Sequence, residues 1–374
     1  MKKILFLSTL ESTPWGGSEQ LWSDMTLRLL EKKYSVMVNT IEWPTTQKKL
    51  LQIQEKGGEL VFRPNVHIQS SIKGRVLNKV SGQKWKGRIQ EFKPDVVLIN
   101  QGGTFDNALY PTLASWIKSL NAPYYIIPNF CPEYGYLADN LRPFFAEYFS
   151  GAEKVLFVSK RNLEVAERLL ARAIPNGIVI KNPIKLTETP INYPSEDIYK
   201  MAAVARLETE VKGYDLLIEV LGQPQWKDRN FQVNIYGQGE HKKYLEELIA
   251  FRGLQDKIIF RGFLNNVEQV WEENHILVMP SRGEGTPLSL LEANYCGRAA
   301  IVTDVGGNAD VITEGENGFV AEAPVIGSFS HAMDRAWQKR QQWKAMGENA
   351  KQKLQQSYPK DPVREVIKLI LGKG

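Results

Sequence analysis

The residues whose types and spacing best suit chemistry lie in one run, Pro280-Ser281-Arg282-Gly283-Glu284-Gly285-Thr286-Pro287. Gly283 and Gly285 let a backbone approach a ligand closely. Thr286 reads as a helix N-cap and Pro287 as the first helical position, so free N–H groups and the positive dipole end from Leu288 onward suit a phosphate. Glu284 precedes this helix and Glu292 lies within it, eight positions later. That separation excludes a close carboxylate dyad and suits a grip on two different hydroxyl groups of one ligand. The plainer alternative is a first-turn helix acid and a solvated helical residue. Arg206 and Lys212, in a second polar loop, are the cations a leaving diphosphate needs as its charge develops. An ordinary surface Arg and Lys would look the same in isolation.

In the first half, Gly16-Gly17-Ser18-Glu19 opens a helix-length segment. It lacks the G-x-G-x-x-G spacing, which argues against a nicotinamide enzyme, but a glycine pair at a helix start can cradle a phosphate or admit a substrate. A tight turn explains it equally well. His67, His241, His275 and His331 have no metal-ligand spacing, and Asp-x-Asp, G-x-S-x-G and the P-loop lysine motif are missing. Cys131 and Cys296 stand far apart, which excludes a disulfide framework and a thiol zinc site and fits a reducing compartment.

Loops of this kind need parallel strands to position them. Short apolar runs alternate with amphipathic stretches: Ile4 to Ser8, Ser18 to Lys33, Ser35 to Ile41, Val96 to Asn100, Tyr124 to Pro128 and, closing the series, Val155 to Ser159. This is βαβ rhythm. It returns at 200–205, 214–221, 231–236, 241–251, 258–260, 276–279 and 300–303. The expected division is a first domain over 1–185, a Pro-bearing linker over 186–198, a second domain over 199–350, and a helical segment over 351–374 that packs back on the first domain. With 374 residues, 43% hydrophobic and 24% charged, the composition excludes disorder, collagen and coiled coil. Ile4 to Leu7 reads as a buried strand rather than a signal peptide, and no apolar run is long enough to span a bilayer, so any membrane contact is expected to be peripheral.

Charge is uneven. Residues 1–185 carry 25 Lys and Arg against 16 Asp and Glu, and the remainder 22 against 26. Lys73, Arg75, Lys79, Lys84, Lys86 and Arg88 are interleaved with Val76, Leu77, Val80, Trp85 and Ile89, so 73–89 suits an anionic membrane surface or a polyanionic acceptor. A solvated loop and helix is the alternative. Nucleic acid fits poorly, because no recognised module accompanies the charge.

Pro280-Ser281, Glu284-Gly285-x-Pro287, Leu291-Glu292-Ala293, Cys296-Gly297, Val302-Thr303-Asp304, Gly306-Gly307 and Gly315-x-x-Gly318 together resemble the C-terminal half of glycosyltransferase family 4. The resemblance extends through Ala205-Arg206-Leu207, Lys212-Gly213, Tyr236-Gly237-Gln238-Gly239 and Phe260-Arg261-Gly262, and more loosely to Gly16-Gly17-Ser18-Glu19. It implies a GT-B fold, an α/β architecture of two Rossmann-like doubly wound parallel-sheet domains facing a central cleft, and a retaining, metal-independent transfer. The co-substrate would be a nucleotide sugar, UDP-sugar or GDP-sugar, without a further cofactor. Arg206 and Lys212 would hold the diphosphate, Glu292 the ribose hydroxyls and Glu284 the sugar hydroxyls. The backbone of Gly285, Thr286, Pro287 and Leu288 would contact the diphosphate, Arg261 and Phe263 would border the base, and Gly16 and Gly17 would line the site from the first domain.

Where many relatives carry a histidine, this chain has Asn100-Gln101-Gly102-Gly103, and Asn100 is expected to supply a hydrogen bond in its place. The implied setting is glycolipid, polysaccharide or surface-glycan synthesis, lipopolysaccharide included, by a cytoplasmic enzyme docked on the inner face of the plasma membrane, with a glycan or glycolipid acceptor. Alternatives on the same architecture are a sugar phosphorylase, a nucleotide-sugar epimerase or a non-catalytic nucleotide-sugar-binding scaffold.

Overall fold

The computed structural model describes residues 2–11, 13–64, 84–106, 111–184, 191–195, 197–264 and 266–372, and chain contacts divide it into two units, Met1–Pro183 with Asp361–Gly374, and Ile184–Lys360. In the first unit the elements are β1 (Lys3–Ser8), α1 (Glu19–Glu31), β2 (Ser35–Ile41), α2 (Lys48–Glu55), β3 (Glu59–Arg63), α3 (residues 84–92), β4 (Val96–Gln101), α4 (Pro111–Ser119), β5 (Tyr124–Pro128), α5 (Leu141–Ser150), β6 (Lys154–Phe157), α6 (Lys160–Leu170) and β7 (Gly177–Val179). The central strands are unbroken apolar runs because both faces of the sheet are covered. All pairings are parallel, in the order β3-β2-β1-β4-β5-β6-β7.

Strand order reverses between β1 and β4, which pair from Ile4 against Val96 to Ser8 against Asn100. Loops leaving such a switch point diverge and open a crevice at the carboxyl edge. One face of the sheet packs Leu5, Val97 and Ile99 against Ile89, Phe145 and Phe149, and the other packs Ile4, Phe6 and Leu98 against Trp22, Met25 and Leu29 of α1.

The second unit contains β8 (Tyr199–Val204), α7 (Thr209–Lys212), α8 (Tyr214–Leu221), β9 (Phe231–Tyr236), α9 (Lys242–Phe251), β10 (Ile258–Gly262), α10 (Val267–Glu273), β11 (Ile276–Met279), α11 (Leu288–Tyr295), β12 (Ala299–Thr303), α12 (Asn308–Val311), β13 (Gly318–Ala321), α13 (Ile326–Gln338) and α14 (Trp343–Ser357). Its parallel sheet runs β10-β9-β8-β11-β12-β13, with the switch between β8 and β11.

Three strands lie beyond the sequence reading, β3, β7 and β13, and each is an edge strand. β3 mixes charge with half-exposed positions, and β7 and β13 are only three and four residues long, too short for a periodic pattern to mark them. β6 is therefore not the last strand of its sheet, as Val155 to Ser159 was expected to be. The returning terminal segment begins at Asp361 rather than 351: α14 packs against α11 and β12 in the second unit. The last helix, α15 (Pro362–Leu371), buries Val363, Val366, Ile367 and Ile370 in the α1 layer of the first unit. Arg28 secures it through an ion pair to Asp361, whose side chain also accepts from the Arg364 N–H at 3.0 Å. No helix among the described residues is long and apolar enough to cross a membrane.

Candidate active site

In the second unit, four loops leave the carboxyl ends of the adjacent strands β9, β8, β11 and β12, and glycines let them touch. Gly213 ends α7 at φ +65°, and a Cβ there would stand 2.1 Å from the Pro280 carbonyl oxygen. Only glycine allows that left-handed corner and that approach together. Lys212 is thereby brought against the β11 loop, where its Nζ donates to both Glu284 oxygens at 2.8 and 2.9 Å. Ser281 Oγ donates to the same carboxylate at 2.7 Å. Glu284 is buried, so ammonium and hydroxyl together replace the water it has lost.

The β12 loop closes the other side. Gly306, at φ +54°, would place a Cβ 2.3 Å from the Glu284 carbonyl oxygen, and the Gly307 N–H donates to the Gly285 carbonyl at 2.5 Å. Thr303 Oγ1 holds the Ser281 carbonyl at 2.6 Å. Arg282 makes a two-pronged pair with Asp215 of α8, both bonds at 2.8 Å, and donates to the Thr209 carbonyl at 2.9 Å. These bonds tie the β8 and β11 loops together.

Thr286 and Pro287 each stand one position earlier than the sequence suggested. Pro287, with φ −70° and ψ 130°, is the N-cap, and α11 starts at Leu288 without a side-chain cap. The extended ψ keeps Pro287 outside the helix, and its missing N–H costs nothing there.

Arg206 lies on the same edge, in the loop that leaves β8. Its side chain is 43% exposed and pairs with Glu208 at 2.8 Å. Its loop is braced by Gly237, whose added Cβ would fall 1.9 Å from the Ala205 carbonyl oxygen, and by the bond from the Leu207 N–H to the Gln238 carbonyl at 3.0 Å.

Glu292 is half-buried on α11, and its carboxylate has no hydrogen-bond partner among the described residues. Burial, and then the negative charge of Glu268, push its pKa up to about 7. It is thus not a freely solvated helical acid. Arg261 donates from Nε to Asn234 Oδ1 at 2.9 Å, and Phe263, just past β10, is 66% exposed.

In the first unit, Gly16 and Gly17 form the turn into α1, their carbonyls accepting from the N–H groups of Glu19 and Gln20 at 3.0 and 3.2 Å. Asn100 is buried at the end of β4. Its amide donates to Glu19 Oε1 at 3.3 Å, and its side-chain oxygen accepts from Asn129 at 2.8 Å. Any effect of Asn100 on a ligand is therefore coupled to this network.

Its hub, which residue spacing did not reveal, is Glu19. It is 2% exposed and accepts from Ser8 Oγ at 2.8 Å and from the Trp22 indole. Burial raises its pKa to about 7 against the opposing effects of those bonds and of the Arg63 charge. Arg63, at the end of β3, donates to Asn39 Oδ1 at 2.9 Å and to the Ser8 carbonyl.

Of the basic stretch 73–89, positions 73–83 lie outside the described residues. Trp85 and Ile89 face the core on α3, so they are not part of an interfacial apolar face. Lys86 lies over the rings of Trp85 and Trp116, and Arg88 pairs with Glu59 at 3.6 Å.

Residues 188–353 match the family model of Glycosyl transferases group 1, and the second unit carries a domain of that group. Among curated proteins, the chain is 28% identical over 150 residues to a poly(ribitol-phosphate) alpha-N-acetylglucosaminyltransferase of Staphylococcus aureus, covering 40% of this chain and 30% of that protein. It is 23% identical over 347 residues to an uncharacterized glycosyltransferase of Haemophilus influenzae, covering 89% and 90%. The chain spans less than two thirds of the length of several other curated relatives it matches.

Among solved structures, HepE of Anabaena in complex with UDP superposes with a TM-score of 0.73 at 15% identity, over 99% of each chain. TarM of S. aureus, in complex with Fondaparinux, alpha-GlcNAc-glycerol and UDP, superposes with a TM-score of 0.74 at 14% identity over the whole of both chains. The fold is that of these GT-B neighbours, two parallel-sheet α/β units of seven and six strands.

Proposed function

We propose that the protein is a retaining glycosyltransferase that moves a sugar from UDP-sugar or GDP-sugar to a hydroxyl of a glycan or glycolipid acceptor without a metal ion. The observation that carries this reading is the buried Lys212–Glu284 pair, held by Ser281 beside the start of α11. A diphosphate at the N–H groups of the first α11 turn meets the positive end of the helix, with the Lys212 ammonium and the exposed Arg206 guanidinium to neutralise it. Those cations take the part a divalent ion plays elsewhere. Glu292, lacking a hydrogen-bond partner, accepts from the ribose hydroxyls. Glu284 and Ser281 orient the sugar hydroxyls, and exposed Arg261 and Phe263 border the base.

In the transfer, the bond from the anomeric carbon to the β-phosphate oxygen breaks as Lys212 and Arg206 stabilise the departing charge. The acceptor hydroxyl attacks from the same face, its proton passes to the leaving phosphate oxygen, and the new glycosidic bond keeps the donor's anomeric configuration. The role in surface-glycan synthesis on the cytoplasmic face of a membrane is part of this proposal. Its support is the similarity to the poly(ribitol-phosphate) alpha-N-acetylglucosaminyltransferase of Staphylococcus aureus.

The test is incubation with UDP-glucose, UDP-galactose, UDP-N-acetylglucosamine and GDP-mannose, each with a panel of oligosaccharide and glycolipid acceptors in the presence of EDTA, following nucleoside diphosphate release and the anomeric signal of the product by NMR. Release from one donor with a retained anomer is expected. An inverted anomer overturns retention, and activity restored only by added manganese or magnesium overturns metal independence. Sugar 1-phosphate formation from a glycan and inorganic phosphate, or isomerised donor without acceptor, replaces the transferase by a phosphorylase or an epimerase.

A further inference from the structure

Between β5 and α5 the chain runs Asn129-Phe130-Cys131-Pro132-Glu133-Tyr134-Gly135-Tyr136-Leu137-Ala138-Asp139-Asn140. This loop leaves the carboxyl edge of the first sheet, the edge at which parallel α/β sheets meet ligands. Tyr134 is 64% exposed and Tyr136 84% exposed, the only aromatic side chains so exposed among the described residues of this unit. Two exposed aromatic side chains close together in one loop offer a contact surface of the kind that marks binding sites.

The rest of the loop is firmly anchored. Cys131 and Leu137 are buried, and Phe130 accepts through its carbonyl from the Thr104 N–H at 2.8 Å. Glu133 pairs with Arg161 at 3.1 Å, and its carbonyl accepts from Arg168 at 2.6 Å. Arg142 binds the Asp139 carboxylate at 2.5 Å. Between these anchors Gly135 turns the chain at φ +111°, and a methyl group on it would meet nothing within 4 Å, so the space beside it is open. The two tyrosines, two positions apart, lie about 7 Å apart at most between Cα atoms. One or two sugar rings can bridge that distance.

We propose that Tyr134 and Tyr136 form a stacking platform for a neutral sugar unit of the acceptor, an inference that rests on the transferase reading above. The face of a phenol ring is electron-rich and apolar, and it matches the C–H face of a pyranose, while the hydroxyl at the ring's edge can bond a sugar hydroxyl. Tyrosine also loses little conformational freedom on contact, having few rotatable bonds. Charge selects the occupant. Residues 129–140 contain no Lys or Arg and two carboxylates, both paired with arginines, so the loop has no attraction for an anionic lipid surface or a polyphosphate.

The experiment compares wild type, Tyr134→Ala/Tyr136→Ala and Tyr134→Phe/Tyr136→Phe. Maltotetraose, cellotetraose and tetra-N-acetylchitotetraose are titrated by saturation-transfer NMR, and UDP and GDP by calorimetry. At least one tetrasaccharide binds wild type, binding falls about tenfold or more in the alanine pair and stays close to wild type in the phenylalanine pair, and nucleotide affinity is unchanged in all three. Equal tetrasaccharide binding by wild type and the alanine pair, or none by wild type, overturns the platform. So does loss in the alanine pair of binding to phosphatidylcholine vesicles, or of a dimer seen by sedimentation, without change in tetrasaccharide binding. Failure of wild type to bind either nucleotide counts instead against the transferase reading, so the two failures are distinguishable.

Discussion

Glu284 and Glu19 are both buried carboxylates at the carboxyl edge of a parallel sheet, yet they are compensated in opposite ways. Glu284 has the Lys212 ammonium at 2.8 Å and the Ser281 hydroxyl at 2.7 Å. Glu19 is met by a hydroxyl, an indole and the Asn100 amide, while Arg63 donates to Asn39 and to the Ser8 carbonyl. The consequence is electrostatic. An ion pair compensates Glu284 beside the proposed diphosphate site, whereas burial outweighs hydrogen bonding at Glu19 and lifts its pKa to about 7. One edge is built around an ion pair, and the other around a group whose protonation changes near neutrality.

Removing the cation of that pair gives the largest effect. Lys212→Ala leaves Glu284 buried without its cation, which costs roughly 3 kcal/mol of stability and lowers transfer by about 100-fold or more. Denaturant titration and steady-state rates check both. Stability retained at pH 7 within experimental error would show that the pair carries little weight.

The pH dependence at Glu19 comes next. Its folded pKa of about 7 lies above the ordinary carboxyl value of 4.5, so the folded state holds a proton that the unfolded chain releases. The contribution to stability is therefore greatest below about pH 4.5, falls as pH rises, and levels off above about pH 7, a change on the order of 3 kcal/mol. Glu19→Gln removes this slope, matching wild type near pH 4.5 and exceeding it in stability at pH 8. Parallel stability curves for the two proteins would contradict the burial account.

The smallest effect concerns Glu292, whose pKa is also raised to about 7. In the proposed donor site its anion would accept from two ribose hydroxyls, so nucleotide affinity is expected to rise several-fold between pH 6 and pH 8 as the group ionises. Glu292→Gln flattens that profile. Calorimetry across the range reads it directly, and an unchanged slope in the variant would place the titration elsewhere.

Much of this was legible in the sequence where apolar runs are continuous. β2, β5, β9 and β11 and helix α8 occupy the residues that periodicity marks, because buried central elements have little choice of residue type. β3 was not legible, since Glu59-Leu60-Val61-Phe62-Arg63 mixes charge with half-exposed positions, and β7 and β13 are runs of only three and four residues. Lys212 and Glu284 were visible as candidates through their glycine-rich loops, but their contact was not. They lie 72 positions apart, and it is the left-handed corner at Gly213 that joins them. Glu19 stood out in the sequence only as the last residue of Gly16-Gly17-Ser18-Glu19. Its burial depends on Ser8, Trp22, Asn100 and Arg63 converging from four elements, and local spacing does not encode such a convergence.

The central claim is a donor site built on Lys212 and Glu292. Calorimetric titration of UDP and GDP into wild type, Lys212→Ala and Glu292→Ala, with EDTA present, tests it most directly. The account predicts that one nucleotide binds wild type and that both substitutions weaken it by about tenfold or more. Binding of neither nucleotide, or equal binding by all three proteins, would contradict it.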